Sequence, residues 1–137
     1  LIEEKRAYIN YVDEFAEKIH KEIGIKASPI DVYKGDKVYQ MILYADTAYT
    51  EKHLDLIHGV DCLYHESTFL TEDAARIKAT LHSSAAQAAT LAKKAEVKQL
   101  IIGHYSARYD DRKVFLDEAR AIFPNTQAAF DGAVYSF

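Results

Sequence analysis

The sequence contains very little cysteine, proline or tryptophan. Of its 137 residues, one is cysteine, two are proline and none is tryptophan. The single thiol, Cys62, cannot form a disulfide within the chain, which excludes a small secreted domain held together by disulfides and favours a reducing, cytoplasmic setting. No apolar run reaches the roughly 18 residues of a membrane-spanning helix, and the first residues lack the pattern of a signal peptide. We therefore expect no membrane association.

An excess of positive charge is also absent. The chain has 17 lysines and arginines against 21 acidic residues, which gives a formal net charge of −4. Such a balance offers no overall attraction to nucleic acid, so any contact with RNA would need a local basic patch. Apolar residues make up 49% of the sequence, which is enough to build one packed core. The length is that of a single domain or of half of a larger one.

Helical and extended patterns alternate along the chain. Ser84 and Gln87 form a capping box at the start of the clearest helix. The alternation predicts an α/β fold with helices packed on a sheet. The apolar periodicity predicts helices over 12–23, 51–58, 72–79, 85–95 and 112–122, an extended segment over 25–33, and strands over 38–44, 60–64, 99–103 and 126–130.

Polar residues stand where the apolar strands end. Asp46, the pair His65 and Glu66, and His104 each follow such a strand, and His82 precedes the capped helix. In α/β sheets, ligand sites form outside the carboxyl ends of the strands, and carboxylate and imidazole groups together can bind a divalent metal. Taken singly, each residue could equally be a helix cap, a turn former or a surface group. Their joint placement predicts a metal-assisted hydrolase.

Four short motifs in this region resemble those of a known family. They are similar to the Gly-Asp-Thr, His-Glu-Ala-Thr, His-Ser-Thr and Gly-His-Phe-Ser-Ser-Arg-Tyr motifs of ribonuclease Z, the endonuclease that trims tRNA 3′ ends. The likeness runs over about 38–132, with Ala45 in place of the usual glycine and Ser84 in place of threonine. In this sequence the motifs are Tyr44-Ala45-Asp46-Thr47, Tyr64-His65-Glu66-Ser67-Thr68-Phe69, Leu81-His82-Ser83-Ser84 and Ile102-Gly103-His104-Tyr105-Ser106-Ala107-Arg108-Tyr109.

The resemblance implies a fold and a function. Residues 38–137 would form the C-terminal half of a metallo-β-lactamase-type αββα sandwich. Residues 1–37 match the family poorly; their apolar spacing predicts an N-terminal helix, and whether they hold a remnant of the tRNA-binding arm of the family stays open. The activity implied is zinc-dependent hydrolysis that removes the 3′ trailer from precursor tRNA. The family is also typically a homodimer.

The resemblance further implies a role for each matching residue. Asp46 would bridge two zinc ions, and His104 would bind the second of them. Glu66 would hydrogen-bond His82, so that His82 could donate a proton to the leaving 3′ oxygen. Arg108 would bind the phosphate, for which a planar, two-pronged donor is suited.

One part of the family pattern does not occur in the sequence. The cluster His-x-His-x-Asp-His, which supplies most zinc ligands in the family, is absent from all 137 residues. Zinc usually takes at least three protein ligands, and Asp46 with His104 supplies two. We therefore expect this chain alone to bind zinc weakly and not to cleave RNA. The alternatives are another metallo-β-lactamase-fold phosphodiesterase or sulfatase, and a non-catalytic half-domain that serves assembly or RNA binding.

Overall fold

The computed structural model describes residues 27–34, 37–44, 47–130 and 135. The helix predicted over 12–23 and the predicted metal ligand Asp46 lie outside the described residues. The segment predicted to be extended over 25–33 corresponds, in its described part, to the first strand.

A five-stranded sheet forms the centre of the described fold. The first two strands are antiparallel, and every later strand is parallel to the one before it, in the order β1-β2-β3-β4-β5. Parallel neighbours bring their carboxyl ends to the same edge of the sheet, so the segments that follow β2, β3 and β4 begin side by side. The strands are β1 Ala27–Lys34, β2 Lys37–Tyr44, β3 Cys62–Glu66, β4 Gln99–Gly103 and β5 Thr126–Ala128.

Among the described residues, four helices lie in the connections between the strands. The helix with the capping box confirms the prediction, because the Ser84 hydroxyl accepts a hydrogen bond from the Gln87 amide at 3.1 Å and Gln87 Oε1 accepts one from the Ser84 amide at 3.0 Å. The helices are α1 Leu54–Ile57, α2 Ala74–Thr80, α3 Ala85–Lys94 and α4 Lys113–Arg120, with one 3₁₀ turn at Thr71–Asp73. In the part of the chain that the structure describes, no helix has the length and apolarity needed to cross a membrane.

The core lies between one face of the sheet and the pair α3 and α4. Leu63 and Leu100 are opposite each other on β3 and β4, and both are completely buried. Alanines on the inner face of α3 let this helix approach the sheet closely, and Leu91 and Phe115 fill the remaining space. Burial of each such large apolar side chain contributes about 1.5–3 kcal/mol, so this packing holds the carboxyl ends of the strands in place.

Several boundaries differ from the sequence predictions. The helix predicted over 51–58 is a single turn, and β3 ends at Glu66 instead of residue 64. The strand continues because His65 and Glu66 still pair with Ile102 and Gly103 of β4. Both residues are buried and hydrogen-bonded. Their polar character suggested that the strand ends before them, but they belong to β3.

Candidate active site

The segments at the carboxyl edge of the sheet are joined to one another by backbone hydrogen bonds. The Ser67 amide, just after β3, donates to the Gly103 carbonyl at 2.8 Å, and the Phe69 amide donates to the Ser83 carbonyl at 3.3 Å. The segments after β3 and β4 and the one before α3 therefore form a single connected surface. Glu66, His82 and His104 lie on it, and Arg108 is in the loop after β4.

Glu66, the last residue of β3, is completely buried and accepts hydrogen bonds on both carboxylate oxygens. Its Oε1 accepts from the amides of Thr47 and Ser83, each at 3.1 Å, and from Nδ1 of His82 at 2.9 Å. Its Oε2 accepts from the amide of Thr68 at 3.0 Å and from the Thr68 hydroxyl at 2.6 Å. These five donors occupy the roughly four lone-pair sites of a carboxylate. Glu66 therefore serves to organise the groups around it.

His82 is held by this carboxylate at the rim of the site. An ionised carboxylate can only accept hydrogen bonds, so Nδ1 of His82 is the donor and carries the hydrogen. One face of the ring stacks on His104, with centroids 5.4 Å apart, and Phe69 contacts it in an edge arrangement at 6.2 Å. The side chain is 25% exposed. The ring is thus oriented by Glu66 and remains accessible.

His104 follows β4 and reaches the same place by an unusual backbone conformation. Its φ angle is +59°, in the left-handed region that non-glycine residues rarely adopt. The preceding Gly103 has no room for a side chain, because a β-carbon there would lie 2.9 Å from two ring atoms of Tyr64. Nδ1 of His104 lies 2.9 Å from the Thr68 hydroxyl.

The two histidines and Glu66 are close enough to share a metal ion. One ligand atom from each lies within 4.8 Å of the others. The oxygens of Glu66 are already occupied by five donors, so a metal bound here would be held by imidazole nitrogen and not by this carboxylate. Imidazole nitrogen is a common ligand of zinc. The described residues thus fit part of a metal site.

The two members of the predicted His65–Glu66 pair point to different environments. His65 is 1% exposed, stacks on Tyr44 with ring centroids 5.5 Å apart, and places Nδ1 2.7 Å from the Glu66 carbonyl oxygen. Burial lowers the pKa of His65, which keeps the ring neutral. Adjacent residues of a strand face opposite sides of the sheet, so His65 is a core residue and only Glu66 faces the site.

An open pocket of about 570 Å³ lies beside His104. Aromatic residues form much of its wall, including Tyr105 and Tyr109. Arg112 also lines the pocket, with its guanidinium 5.5 Å from the centre of the Tyr105 ring. Arg108 is exposed on the same loop and is not among the residues that line the pocket. Sequence analysis did not single out Arg112, because it occupies the start of a predicted helix.

Thr68 was also missed as a site residue. It stands two positions after Glu66, and its hydroxyl contacts both the carboxylate and His104. Its presence in the second motif was the available signal. Hydroxyl residues after a strand commonly cap the next segment, so there was no reason to expect from the sequence that Thr68 contacts His104, 36 positions away.

Comparisons with known proteins confirm the resemblance that the motifs predicted. No protein-family model matches the chain. The sequence is 55% identical over 82 residues to a ribonuclease Z of Azobacteroides pseudotrichonymphae and 53% identical over 85 residues to one of Bacteroides thetaiotaomicron. These matches cover 60% and 62% of this chain, and 28% and 27% of the relatives. The matched part thus spans little more than a quarter of the relatives' length.

Solved structures confirm the predicted α/β fold of metallo-β-lactamase type. A metallo-β-lactamase fold protein of Bacillus subtilis superposes with a TM-score of 0.66 at 16% identity, over 80% of this chain and 49% of that protein. The short form of human tRNase Z superposes with a TM-score of 0.58 at 20% identity, over 82% of this chain and 43% of that protein. At this level of identity the likeness establishes the fold alone.

Proposed function

We propose that this chain is the C-terminal part of a ribonuclease Z, and that the whole protein removes the 3′ trailer from precursor tRNA by zinc-dependent phosphodiester hydrolysis. The observation that carries the proposal is that the buried carboxylate of Glu66 contacts His82 directly and His104 through the Thr68 hydroxyl. It occurs in a chain about half identical, over 82 to 85 residues, to proteins named ribonuclease Z.

The metal of this site is proposed to be zinc, two ions in the complete site. His104 and Asp46, which directly precedes the site residue Thr47 in the sequence, would hold the ions. Bound zinc ions would supply a hydroxide nucleophile at neutral pH and stabilise charge on the reacting phosphate. The further ligands would come from the part of ribonuclease Z that this chain does not match, because its relatives are more than three times as long as the matched segment.

His82 is proposed to protonate the leaving 3′ oxygen. Because Nδ1 keeps its hydrogen bond to Glu66, a protonated ring presents its second hydrogen on Nε2. A positioned imidazole of this kind typically contributes about 10²–10⁴-fold to a rate. Glu66 is proposed to act through His82 by holding the ring, since its own oxygens are occupied.

RNA recognition is proposed to use the loop after β4. Arg108 would bind a phosphate of the substrate, and its exposure leaves the guanidinium accessible. Tyr105, Tyr109 and Arg112 line the neighbouring pocket, and aromatic rings with arginine can stack on bases of single-stranded RNA. A local group of this kind would compensate for the overall charge of −4. We also propose that the whole protein is a homodimer and works in the cytoplasm.

Cleavage of precursor tRNA by the full-length protein tests this function. We expect metal-dependent release of the intact trailer, a rate lowered by about 10²–10⁴-fold in His82→Ala, and weaker substrate binding in Arg108→Ala. Arg76→Ala, which changes an exposed arginine on α2, is the matched control and should cleave normally. The 137-residue chain alone should be inactive. Hydrolysis of small phosphodiesters without cleavage of precursor tRNA would point to another hydrolase of this fold.

A further inference from the structure

One hydroxyl group lies between the buried carboxylate and His104. The Oγ1 atom of Thr68 is 2.6 Å from Oε2 of Glu66 and 2.9 Å from Nδ1 of His104. Thr68 is 8% exposed, so water has little access to compete for these contacts. Glu66 thus contacts His82 directly through one oxygen and reaches His104 through Thr68 with the other.

The direction of these hydrogen bonds follows from the groups involved. A hydroxyl has one hydrogen to donate, and an ionised carboxylate can only accept. The hydrogen of Thr68 therefore points to Glu66, and a lone pair on its oxygen faces His104. Nδ1 of His104 must then carry a hydrogen and donate it. Because a neutral imidazole has a single N–H group, the lone pair of His104 lies on Nε2.

The backbone around Thr68 restricts the movement of this hydroxyl. The amide of Thr68 donates to Glu66 at 3.0 Å, and its carbonyl accepts from the amide of Ser106 at 2.9 Å. The neighbouring Ser67 donates to the Gly103 carbonyl through both its amide and its hydroxyl. Hydrogen bonds from Ser67 to Gly103 and from Ser106 to Thr68 thus join the two segments on either side of the contact between Thr68 and His104.

We infer that Thr68 is a positioning residue for His104: its hydroxyl donates to Glu66, accepts from His104 and so fixes the ring in the Nδ1–H form, in which Nε2 is the nitrogen that would bind a metal. The role as metal ligand rests on the proposed function, whereas the tautomer does not. A single buried carboxylate thus sets the tautomers of both histidines of the site. Outer-shell groups that orient ligating histidines typically change metal affinity by about 10- to 100-fold.

The test measures the tautomer of His104 in the metal-free 137-residue chain by long-range ¹H–¹⁵N correlation, at a pH above the imidazole range. The wild type should show a protonated Nδ1 and an unprotonated Nε2. Thr68→Val, which keeps the shape of the side chain and removes the hydroxyl, should populate the other tautomer. Thr68→Ser should restore the wild-type spectrum. In a Zn²⁺ titration followed on the same ring, Thr68→Val should require about 10- to 100-fold more metal.

Thr126→Val is the matched control, since Thr126 is also buried and its hydroxyl donates to the Phe123 carbonyl. It should leave the His104 spectrum unchanged. A wild-type ring protonated on Nε2 overturns the inference, and this reading holds even if Thr68→Val fails to fold. An unchanged tautomer in Thr68→Val, or a Thr68→Ser that behaves like valine, also overturns it. A wild type with the expected tautomer but no RNA cleavage by the full-length protein contradicts the proposed function alone.

Discussion

Replacing Glu66 with glutamine removes the charge at the centre of the site while nearly preserving the shape of the side chain. The five donors around the carboxylate leave no good orientation for an amide. If the NH₂ group of the glutamine pointed towards His82, it would meet the three N–H groups that now donate to Oε1. With the NH₂ group towards Thr68, it would face two donors, so this second orientation is the less unfavourable one.

The second orientation sets the expected magnitude. Two hydrogen bonds to a charged acceptor are lost, each contributing about 1.5–3 kcal/mol. Rotation of the Thr68 hydroxyl, so that it accepts from the new amide, recovers about 1 kcal/mol. We therefore expect Glu66→Gln to lower the free energy of unfolding by about 2–5 kcal/mol, a large fraction of the stability of a typical domain.

Urea unfolding followed by circular dichroism at neutral pH measures this loss. Glu118→Gln is the matched control, because Glu118 also accepts from two backbone amides, those of Thr71 at 2.9 Å and Ala86 at 3.0 Å. Glu118 is partly exposed, so water can replace a lost partner and the expected cost is about 0.5–1.5 kcal/mol. A Glu66→Gln variant no less stable than Glu118→Gln would refute the account of Glu66 as the common acceptor of the site.

Three further predictions concern the surroundings of the site. Gly103→Ala should destabilise the chain by about 1–3 kcal/mol, because the new methyl group meets the Tyr64 ring; adding Tyr64→Leu should recover part of the loss in the same urea assay. Ser84→Ala removes the hydroxyl of the capping box and should cost about 0.5–2 kcal/mol, whereas Ser84→Thr should be close to wild type in thermal unfolding. Burial lowers the pKa of His65 in the folded chain, whereas in the unfolded chain its pKa is about 6.5. Above about pH 6.5 the ring is neutral in both states and stability is unaffected. Below that pH the unfolded chain binds more protons, so the free energy of unfolding falls by at most about 1.4 kcal/mol per pH unit. His65→Asn should flatten this part of the stability profile, and an unchanged profile would contradict the assignment.

Local patterns in the sequence were sufficient to predict the class of the fold and the family resemblance. Alternating apolar patterns predicted the α/β layer, and helix α3 was identified by its capping box because these are local signals carried by neighbouring residues. The order of the four motifs predicted Glu66, His82 and His104 as site residues, and the structure brings these three together. The carboxyl edge of a parallel sheet explains why residues so far apart in the chain could be expected together.

The contacts between these residues depend on how the chain folds in three dimensions and could not be predicted from local patterns in the sequence. The contact between Glu66 and His82 spans 16 positions, and the contact between Thr68 and His104 spans 36. Periodicity indicates which face of a strand is buried, but it does not show which donor lies within 3 Å of which acceptor. Packing at the scale of about 3 Å decides which donors surround the oxygens of Glu66 and what His65 contacts on the other side of the sheet. For that reason, Glu66 could be recognised as the acceptor of five hydrogen bonds only once the donors around it were known.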